Sequence, residues 1–284
     1  MTSKPRKTPD TRLAVGVDRG GTHTRIVLIN GLGTELKRIV RPSSGIDRLP
    51  DLIERTAAAW GLKPHIPVVI ATRGALTKKW KKTFLLKKLK GRVNLVDVIS
   101  DAQAAYLAAH GSRTGALLIA GTGSVLFHRH PGGRFKKTGG HGSGAGDPGS
   151  GLWIGARFLK GAVPAVPHWR SLDRRAIAAY AAKAVRKAEK GDPAAIKLIS
   201  EAHDRLSGLL TGAVRISGRR DGGKPLRVAL TGGLMQNAFF RKTFIARARR
   251  RFAPYRLVFI GLRRPAEQAA AGLAMGIYAR NKNA

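Results

Sequence analysis

Cysteine is absent from this chain of 284 residues. Its absence excludes a disulfide framework, a thiolate metal site and an iron–sulfur cluster held by cysteine. No run approaches the roughly 20 apolar residues that a membrane-spanning helix needs. The polar and basic N-terminus also lacks the apolar segment of a secretory signal. We therefore expect a soluble cytoplasmic protein that has no membrane contact.

Acidic residues are scarce: 16 Asp and Glu face 53 Lys and Arg, a formal net charge of +37. Such a field attracts nucleic acid, acidic surfaces and anionic small molecules alike. The aromatic residues are not interleaved with the basic runs at 78–92 and 247–256 as stacking platforms would be. A solvated basic surface is therefore favoured, with nucleic acid bound at most weakly and non-specifically. Among so few carboxylates, Asp18, Asp101 and Asp147 stand out because their settings are apolar or rich in glycine.

The organisation of the chain is repetitive. Two apolar, β-prone segments, 13–18 and 24–30, flank a glycine turn, and the same arrangement returns at 116–130. Strand and helix patterns alternate after each of these openings. The pattern predicts an α/β protein with a duplicated domain and a cleft between the halves. The predicted divisions are a basic tail at 1–12, an N-terminal domain at 13–112, a C-terminal domain at 113–264, and a helix at 265–284 that packs back on the N-terminal domain.

The first glycine turn lies in the stretch GVDRGGTHT, residues 16–24. It lacks the lysine of a P-loop, but Gly20 and Gly21 would let the backbone approach an anion, and the hydroxyls of Thr22 and Thr24 could donate to phosphate. A carboxylate beside phosphate needs a cation between them, which would make Asp18 a Mg²⁺ ligand. The alternative is a plain hairpin turn in which Asp18 accepts local backbone N–H groups.

Two further glycine turns follow strands of the second half. The segment AGTGS contains Gly121, Thr122 and Gly123 at the position equivalent to the first turn, and LTGGL contains Gly232 and Gly233. Each alone is compatible with an ordinary β-turn. The loop at 16–24 and the segment AGTGS could hold one polyphosphate between them, each from its own side. The Gly-Gly pair of LTGGL could lie against a flat adenine ring.

Asp101 follows the predicted strand 94–100 and occupies the first position of a helix. Ser100 and Gln103 have the spacing of a capping box. An acid in the first helical turn is favoured by the helix dipole, which is one explanation of this residue. The other is catalytic, since α/β active sites lie at the carboxyl edge of a sheet and a carboxylate there could accept the proton of an attacking hydroxyl.

The stretch 139–155, GGHGSGAGDPGSGLWIG, precedes a predicted helix. Its glycines predict a close-fitting loop in which Asp147 and Ser150 could hold the hydroxyls of a polar ligand. A flexible surface loop is the alternative.

In this order, these segments resemble the sugar-kinase, Hsp70 and actin superfamily, and within it the BadF/BadG/BcrA/BcrD-type ATPases, which include N-acetylglucosamine and glucosamine kinases. The residues that carry the resemblance are GVDRGGTHT, SDAQAA (100–105), GTGS (121–124), GDPGSGLWIG (146–155) and LTGGL (230–234). The resemblance implies two ribonuclease H-like, actin-like ATPase domains with an interdomain cleft. It also implies ATP and Mg²⁺ as cofactors and is compatible with a homodimer.

The resemblance also implies a role for each residue that stands at a matching motif position. The resemblance implies that Asp18 organises Mg²⁺ and that the first loop and the segment 121–123 hold the phosphates. It places Gly232 and Gly233 at the adenosine, makes Asp101 the base for a sugar hydroxyl, and puts Asp101, Thr122, Asp147 and Ser150 at the sugar.

The chain departs from the family pattern at Pro148, where a Glu is usual, and at His23 and His141. The missing cysteines exclude the dehydratase activators of the family and the zinc motif of the ROK sugar kinases. We expect a kinase that phosphorylates a hydroxyl of a small amino sugar such as N-acetylglucosamine or glucosamine. The alternative is an ATP-binding sensor or regulator whose basic surface recruits an acidic partner.

Overall fold

The computed structural model describes residues 12–129, 134–142, 147–161, 168–217 and 225–282. The chain divides into two compact units, one formed by the residues up to Gly111 together with those from Arg263 onward, and one formed by Ser112–Leu262. Each unit is built on one five-stranded sheet. Part of the glycine-rich stretch, 143–146, lies outside the described residues, as does nearly all of the basic tail.

The elements of the first unit begin with a three-stranded antiparallel meander and continue as alternating helices and strands. They are β1 (Leu13–Arg19), β2 (His23–Asn30), β3 (Glu35–Pro42), α1 (Leu49–Ala59), β4 (Pro67–Thr72), α2 (Lys79–Leu89), β5 (Asn94–Ile99) and α3 (Asp101–His110). The strand order is β3-β2-β1-β4-β5. β1 pairs antiparallel with β2 and parallel with β4, and β5 runs parallel to β4.

The second unit repeats this plan. Its elements are β6 (Gly115–Ala120), β7 (Ser124–Arg129), β8 (Phe135–Gly139), α4 (Gly151–Lys160), α5 (Arg174–Glu189), α6 (Pro193–Ser217), β9 (Leu226–Thr231), α7 (Gly233–Gln236), α8 (Ala238–Phe252) and β10 (Leu257–Ile260). The sheet order is β10-β9-β6-β7-β8, with β6, β7 and β8 antiparallel and β9 and β10 parallel to the same central strand. The predicted duplication of an α/β domain is confirmed by these matching sheets.

The last helix, α9 (Ala266–Lys282), belongs to the first unit and packs on β1, β2 and β4. Gly16 in β1 is what permits this close packing, because a Cβ there would lie 1.9 Å from the carbonyl oxygen of Glu267 and 2.4 Å from the amide nitrogen of Ala271. Glu267 is itself buried and pairs with Arg38 on β3. The helix is thereby fixed against the strand that contains Asp18.

The burial of the strands follows from their composition and their position in the sheet. β4, with the sequence PVVIAT, is buried at every position, as expected for a β-branched strand that carries helices on both faces of a parallel region. β3 is exposed along nearly its whole length because it is the edge strand. None of the helices within the described ranges is long and apolar enough to cross a membrane.

Candidate active site

The loop between β1 and β2 is a tight hairpin turn. The amide of Gly20 donates to the carbonyl of His23 at 3.0 Å, and the carbonyl of Thr22 accepts the amide of Ser43 at 2.9 Å. Gly21, Thr22 and His23 are exposed, so the backbone of this turn is accessible to a ligand. The predicted glycine turn is therefore confirmed, and the histidine within it supplies a carbonyl to the turn while its side chain faces solvent.

Thr24 has a different environment from Thr22. Its side chain is buried, and its hydroxyl lies 3.1 Å from the hydroxyl of Ser43, which in turn donates to the carbonyl of Gly20 at 2.9 Å. In this structure Thr24 thus stabilises the turn through Ser43. A direct contact between Thr24 and phosphate stays a prediction.

Asp18 ends the buried part of β1, with its side chain only 13% exposed. Within the described part of the chain its carboxylate accepts no backbone N–H group and has one charged partner, Arg25, at 3.5 Å. Burial raises the pKa of Asp18 to about 6, and the charges of Glu267 and Asp101 add to this effect, while Arg25 opposes it. The alternative of a plain turn stabilised by this carboxylate is not what the structure shows.

Asp18 fits a Mg²⁺ ion that arrives with a nucleotide. The ionised carboxylate is disfavoured where it lies, so a cation at this point would restore the charged form. Among the described residues no group of three His, Asp or Glu side chains could hold a metal by itself. One carboxylate is nevertheless adequate for Mg²⁺, which takes the rest of its ligands from water and substrate phosphates.

Asp101 begins α3 at the carboxyl end of β5, and it is partly exposed. The predicted capping box is confirmed: Ser100 accepts the amide of Gln103, and the side chain of Gln103 accepts the amide of Ser100. One carboxylate oxygen of Asp101 accepts the amide of Ala102 at 2.9 Å. The capping box fixes the direction of the helix, and within the described residues the second carboxylate oxygen of Asp101 accepts no hydrogen bond.

In the second unit, the glycine segments converge. The carbonyl of Gly121 accepts the amide of Gly151 at 2.7 Å, and the carbonyl of Thr122 accepts the amide of Leu152 at 3.2 Å. Gly232 adopts φ +100°, and a Cβ there would lie 2.3 Å from the carbonyl oxygen of Ala120. The turn after β6, the start of α4 and the turn after β9 are therefore held together by contacts that only glycine backbones allow.

Asp147 joins two of these loops. One carboxylate oxygen accepts the amides of His141 at 2.7 Å and Gly142 at 3.0 Å, and the other accepts the amide of Ser124 at 3.4 Å. The residue is buried, and its second oxygen would lie 2.8 Å from a Cβ at position 123, where the chain has glycine. The carboxylate thus positions the segment 121–123, and its contact with a sugar stays a prediction.

Ser150 is completely buried and caps α4, where its hydroxyl oxygen accepts the amide of Trp153 at 3.2 Å. Its predicted contact with a sugar hydroxyl likewise stays a prediction. Pro148, at the position where the family has Glu, is exposed and accepts the hydroxyl of Ser124 through its carbonyl oxygen.

A cavity of about 660 Å³ opens at the point where the glycine segments meet. Gly121, Thr122, Gly151 and Gly233 form one side, and a face of α5 forms the other. Volumes of roughly 300–1,000 Å³ are typical of small-molecule sites. The structure thus brings three of the predicted segments to one cavity within the second unit.

The face of α5 that lines this cavity was not predicted. It consists of Arg175, Ala178, Ala179, Ala181, Ala182, Val185, Arg186 and Glu189. Residues 175, 179, 182 and 186 follow one another at helical spacing, so the sequence contained a stripe of small residues bounded by two arginines. Asn237, which caps α8 by accepting the amide of Phe240, also lines the cavity.

Comparison with known proteins agrees with the family resemblance that the sequence motifs indicate. The sequence profile of the BadF/BadG/BcrA/BcrD ATPase family matches residues 15–255. An N-acetylmuramic acid/N-acetylglucosamine kinase from Clostridium acetobutylicum is 27% identical over 186 residues, which are 58% of this chain and 56% of that protein. The chain therefore spans little more than half the length of this relative.

Solved structures share the fold. A proposed N-acetylglucosamine kinase from Chromobacterium violaceum superimposes with a TM-score of 0.65 at 22% identity, over 95% of this chain and all of that one. A ROK family glucokinase from Streptomyces griseus, solved with glucose and AMPPNP, gives 0.58 at 19% identity, over 93% of this chain and 99% of the other. With most of its length matched by the family profile, the chain belongs to the BadF/BadG/BcrA/BcrD ATPase family.

Proposed function

We propose that this protein is an ATP-dependent kinase that phosphorylates a hydroxyl of a small amino sugar. The observation that carries the proposal is the cavity of the second unit, where the loop after β6, the start of α4 and the turn after β9 meet. Its glycine backbones, which have no side chains, would let phosphate oxygens approach closely, and the alanines of α5 offer a flat apolar wall to a base. We infer that ATP binds there.

The first unit would supply the chemistry. Asp101 would accept the proton of the sugar hydroxyl as the hydroxyl oxygen forms its bond to the γ-phosphorus. The bond between that phosphorus and the oxygen bridging it to the β-phosphate breaks, so that ADP leaves with the electron pair and the sugar phosphate remains. Such transfers depend mainly on positioning and on neutralising charge.

Asp18 would hold Mg²⁺ in the first unit, and the ion would supply positive charge to the phosphate oxygens. The contribution of the chain is the buried position of this carboxylate and the turn at Gly20 and Gly21 beside it. The amides of that turn would donate to phosphate oxygens. Since ATP is supplied in the cytoplasm, the proposal places the protein there.

The relatives support an amino sugar as the acceptor. The Clostridium acetobutylicum relative is named for N-acetylmuramic acid and N-acetylglucosamine, and the Chromobacterium violaceum protein for N-acetylglucosamine. The Streptomyces griseus structure shows that this fold can hold glucose and an ATP analogue together.

An ADP-release assay with Mg·ATP and a panel of sugars tests the proposal. We expect release to be stimulated by at least one amino sugar and to depend on Mg²⁺. Glucose is the matched control because it lacks the nitrogen at the 2-position. If ATP binds but no sugar stimulates release of ADP, the protein is not a sugar kinase, and the sensor alternative takes its place.

A further inference from the structure

Four cationic side chains gather at the carboxyl edge of the first sheet, and nothing in the proposed reaction uses them. Arg19 ends β1 opposite Thr72 at the end of β4, and Arg73 follows Thr72 directly. Lys78 and Lys81 come from the segment that leads into α2 and from its first turn. We call these four residues, Arg19, Arg73, Lys78 and Lys81, the cationic edge.

Contacts hold this group together. The ammonium of Lys81 donates to the carbonyl of Arg73 at 2.8 Å, which ties the first turn of α2 to the end of β4. Gly74 lies between the two lysines, since a Cβ there would be 3.6 Å from the Nζ of Lys81 and 4.0 Å from the Cδ of Lys78. The guanidinium of Arg19 donates to the carbonyl of Ser44.

The cationic edge lies near Asp101. Burial lowers the pKa of Lys81, and the charges of Arg19, Lys78 and Arg73 lower it further, whereas Asp101 acts in the opposite direction. Each of these four charges therefore lies within electrostatic range of Lys81. β5, which leads to Asp101, lies beside β4, which leads to Arg73.

Among the residues that the structure describes, Asp101 is the one carboxylate that counters the charge of this group. In the described residues, none of the four cations forms an ion pair with a carboxylate, whereas Arg38, Lys82 and Arg247 do. Two buried polar atoms at the same edge, the Nε of Arg19 and the hydroxyl of Thr72, have no hydrogen-bond partner within the described ranges. Buried polar groups are normally satisfied, so these two atoms point to a ligand.

A general surplus of positive charge does not explain this arrangement. The chain has many unpaired cations because 53 basic residues face 16 acidic ones, but most can separate in solvent. Here Arg19 and Lys81 are partly buried, and each donates a hydrogen bond to a backbone carbonyl, which limits how far they can move apart. Fixed like charges repel one another, and an anion bound among them removes that cost.

We propose that the cationic edge binds a carboxylate carried by the acceptor, so that the preferred substrate is an acidic amino sugar. This inference rests on the proposed kinase activity and on Asp101 as the base. The carboxylate would neutralise the edge and at the same time orient the sugar, which brings its hydroxyl to Asp101.

N-acetylmuramic acid and N-acetylglucosamine provide a matched pair of probes, because the first is the second with a lactyl ether that carries the carboxylate. The quantity to measure is the ratio of kcat/KM for the acid to kcat/KM for the neutral sugar. We expect this ratio to exceed about 10 for the wild type, because a hydrogen bond to a charged group changes affinity by roughly that factor or more. Rising salt should lower the ratio.

The variant Lys81→Gln removes one charge of the edge and keeps a donor for the carbonyl of Arg73. It should lower the ratio about 10-fold. Lys87→Gln, an exposed change of equal charge in the last turn of the same helix, should leave the ratio as it is. Thermal unfolding of each variant identifies any loss that comes from misfolding, and Arg73→Gln then serves as the second variant.

Four outcomes separate the inferences. A lower ratio in Lys81→Gln but not in Lys87→Gln supports the acidic acceptor. A fall of kcat/KM by the same factor for both sugars overturns it, because the cations would then serve the transferred phosphoryl group, and so does a wild type that prefers the neutral sugar. Failure of every sugar, acidic or neutral, to stimulate ADP release overturns the proposed function itself.

Discussion

Asp18 and Asp101 lie at the same edge of the first sheet, at the ends of strands separated by one strand, and the charge of Asp101 helps to raise the pKa of Asp18. Two carboxylates at one edge are costly in a protein without a cation to separate them. One of them is deeply buried and the other is partly exposed at a helix start. This difference in environment matches the different roles proposed for them, a metal ligand and a proton acceptor.

The variant Asp18→Asn should stabilise the metal-free protein while it impairs use of Mg·ATP. Because folding raises the pKa of Asp18 from 3.8 to about 6, the folded state loses stability as the pH rises from about 4 to 6, by up to about 3 kcal/mol. In EDTA at pH 7.5 the variant should therefore gain about 1–3 kcal/mol in free energy of unfolding, and at pH 4 it should gain little. Urea titrations at the two pH values measure this. A variant that is less stable than the wild type at pH 7.5 would contradict the proposed cost.

Gly232 and Gly233 are adjacent, but we expect substitution of Gly232 to impair folding and substitution of Gly233 to impair ATP binding. Gly232→Ala places a Cβ 2.3 Å from the carbonyl oxygen of Ala120 in a backbone conformation with φ +100°, which should cost about 2–4 kcal/mol of stability. At Gly233 a Cβ meets nothing within 4 Å, so Gly233→Ala should fold normally. Its methyl group would occupy the cavity and weaken ATP binding by about 10-fold. Thermal unfolding and nucleotide titration distinguish the two effects, and equal instability of both variants would refute the assignment.

Larger residues on the alanine face of α5 should leave folding intact but weaken ATP binding. Ala182 is exposed and lines the cavity, so Ala182→Leu should leave the melting temperature nearly unchanged and lower ATP affinity by at least about 10-fold. Ala194→Leu, at an exposed alanine of α6 that does not line the cavity, is the matched control. Calorimetric titration with ATP measures both. Unchanged affinity in Ala182→Leu would show that the nucleotide binds elsewhere.

His203 should make the second unit sensitive to acid. It is buried against Phe240 and Phe244, and burial lowers its pKa from 6.5 to about 4, with the charge of Arg247 adding to the effect. In the unfolded chain this histidine binds a proton as the pH falls through 6.5, whereas in the folded chain it stays neutral until about pH 4. The histidine therefore does not lower the free energy of unfolding above pH 6.5. That free energy falls by about 3 kcal/mol as the pH drops to 4.

The variant His203→Leu should remove this part of the pH dependence. Unfolding free energies measured between pH 4 and 7.5 should then show a shallower slope than those of the wild type. An unchanged slope would mean that this histidine is not the group responsible.

Local patterns were sufficient to predict much of the fold. The hairpin around Gly20 and the capping box of Ser100 and Gln103 both appear as expected. Each depends on residues that are close in the sequence, namely turn glycines and a capping pair. The repetition of such patterns was also enough to predict two similar domains.

Features that depend on neighbours from elsewhere in the chain were missed. β8 was not predicted because Phe135 is its only large apolar residue, and it forms by pairing with β7. α2 likewise buries Leu85 and Leu89 but leaves Trp80 54% exposed, a difference between apolar residues of one helix that its sequence alone does not indicate.

The same limit applies to the candidate site. Motif position marked Thr24 and Ser150 as ligand contacts, but packing buries both, against Ser43 and at the start of α4. The cavity face of α5 was missed for the opposite reason, since alanines in a helix resemble packing residues until the structure shows which face is left uncovered.

The central claim is that Asp101 is the base of a sugar kinase, and sugar-stimulated release of ADP by Asp101→Asn tests it most directly. The amide cannot accept the proton, so turnover should fall by about 10²–10⁴-fold while ATP binding and the melting temperature stay close to those of the wild type. Asp51→Asn, at an exposed carboxylate of α1, should keep full activity. If Asp101→Asn turns over every accepted sugar at the rate of the wild type, the account is wrong.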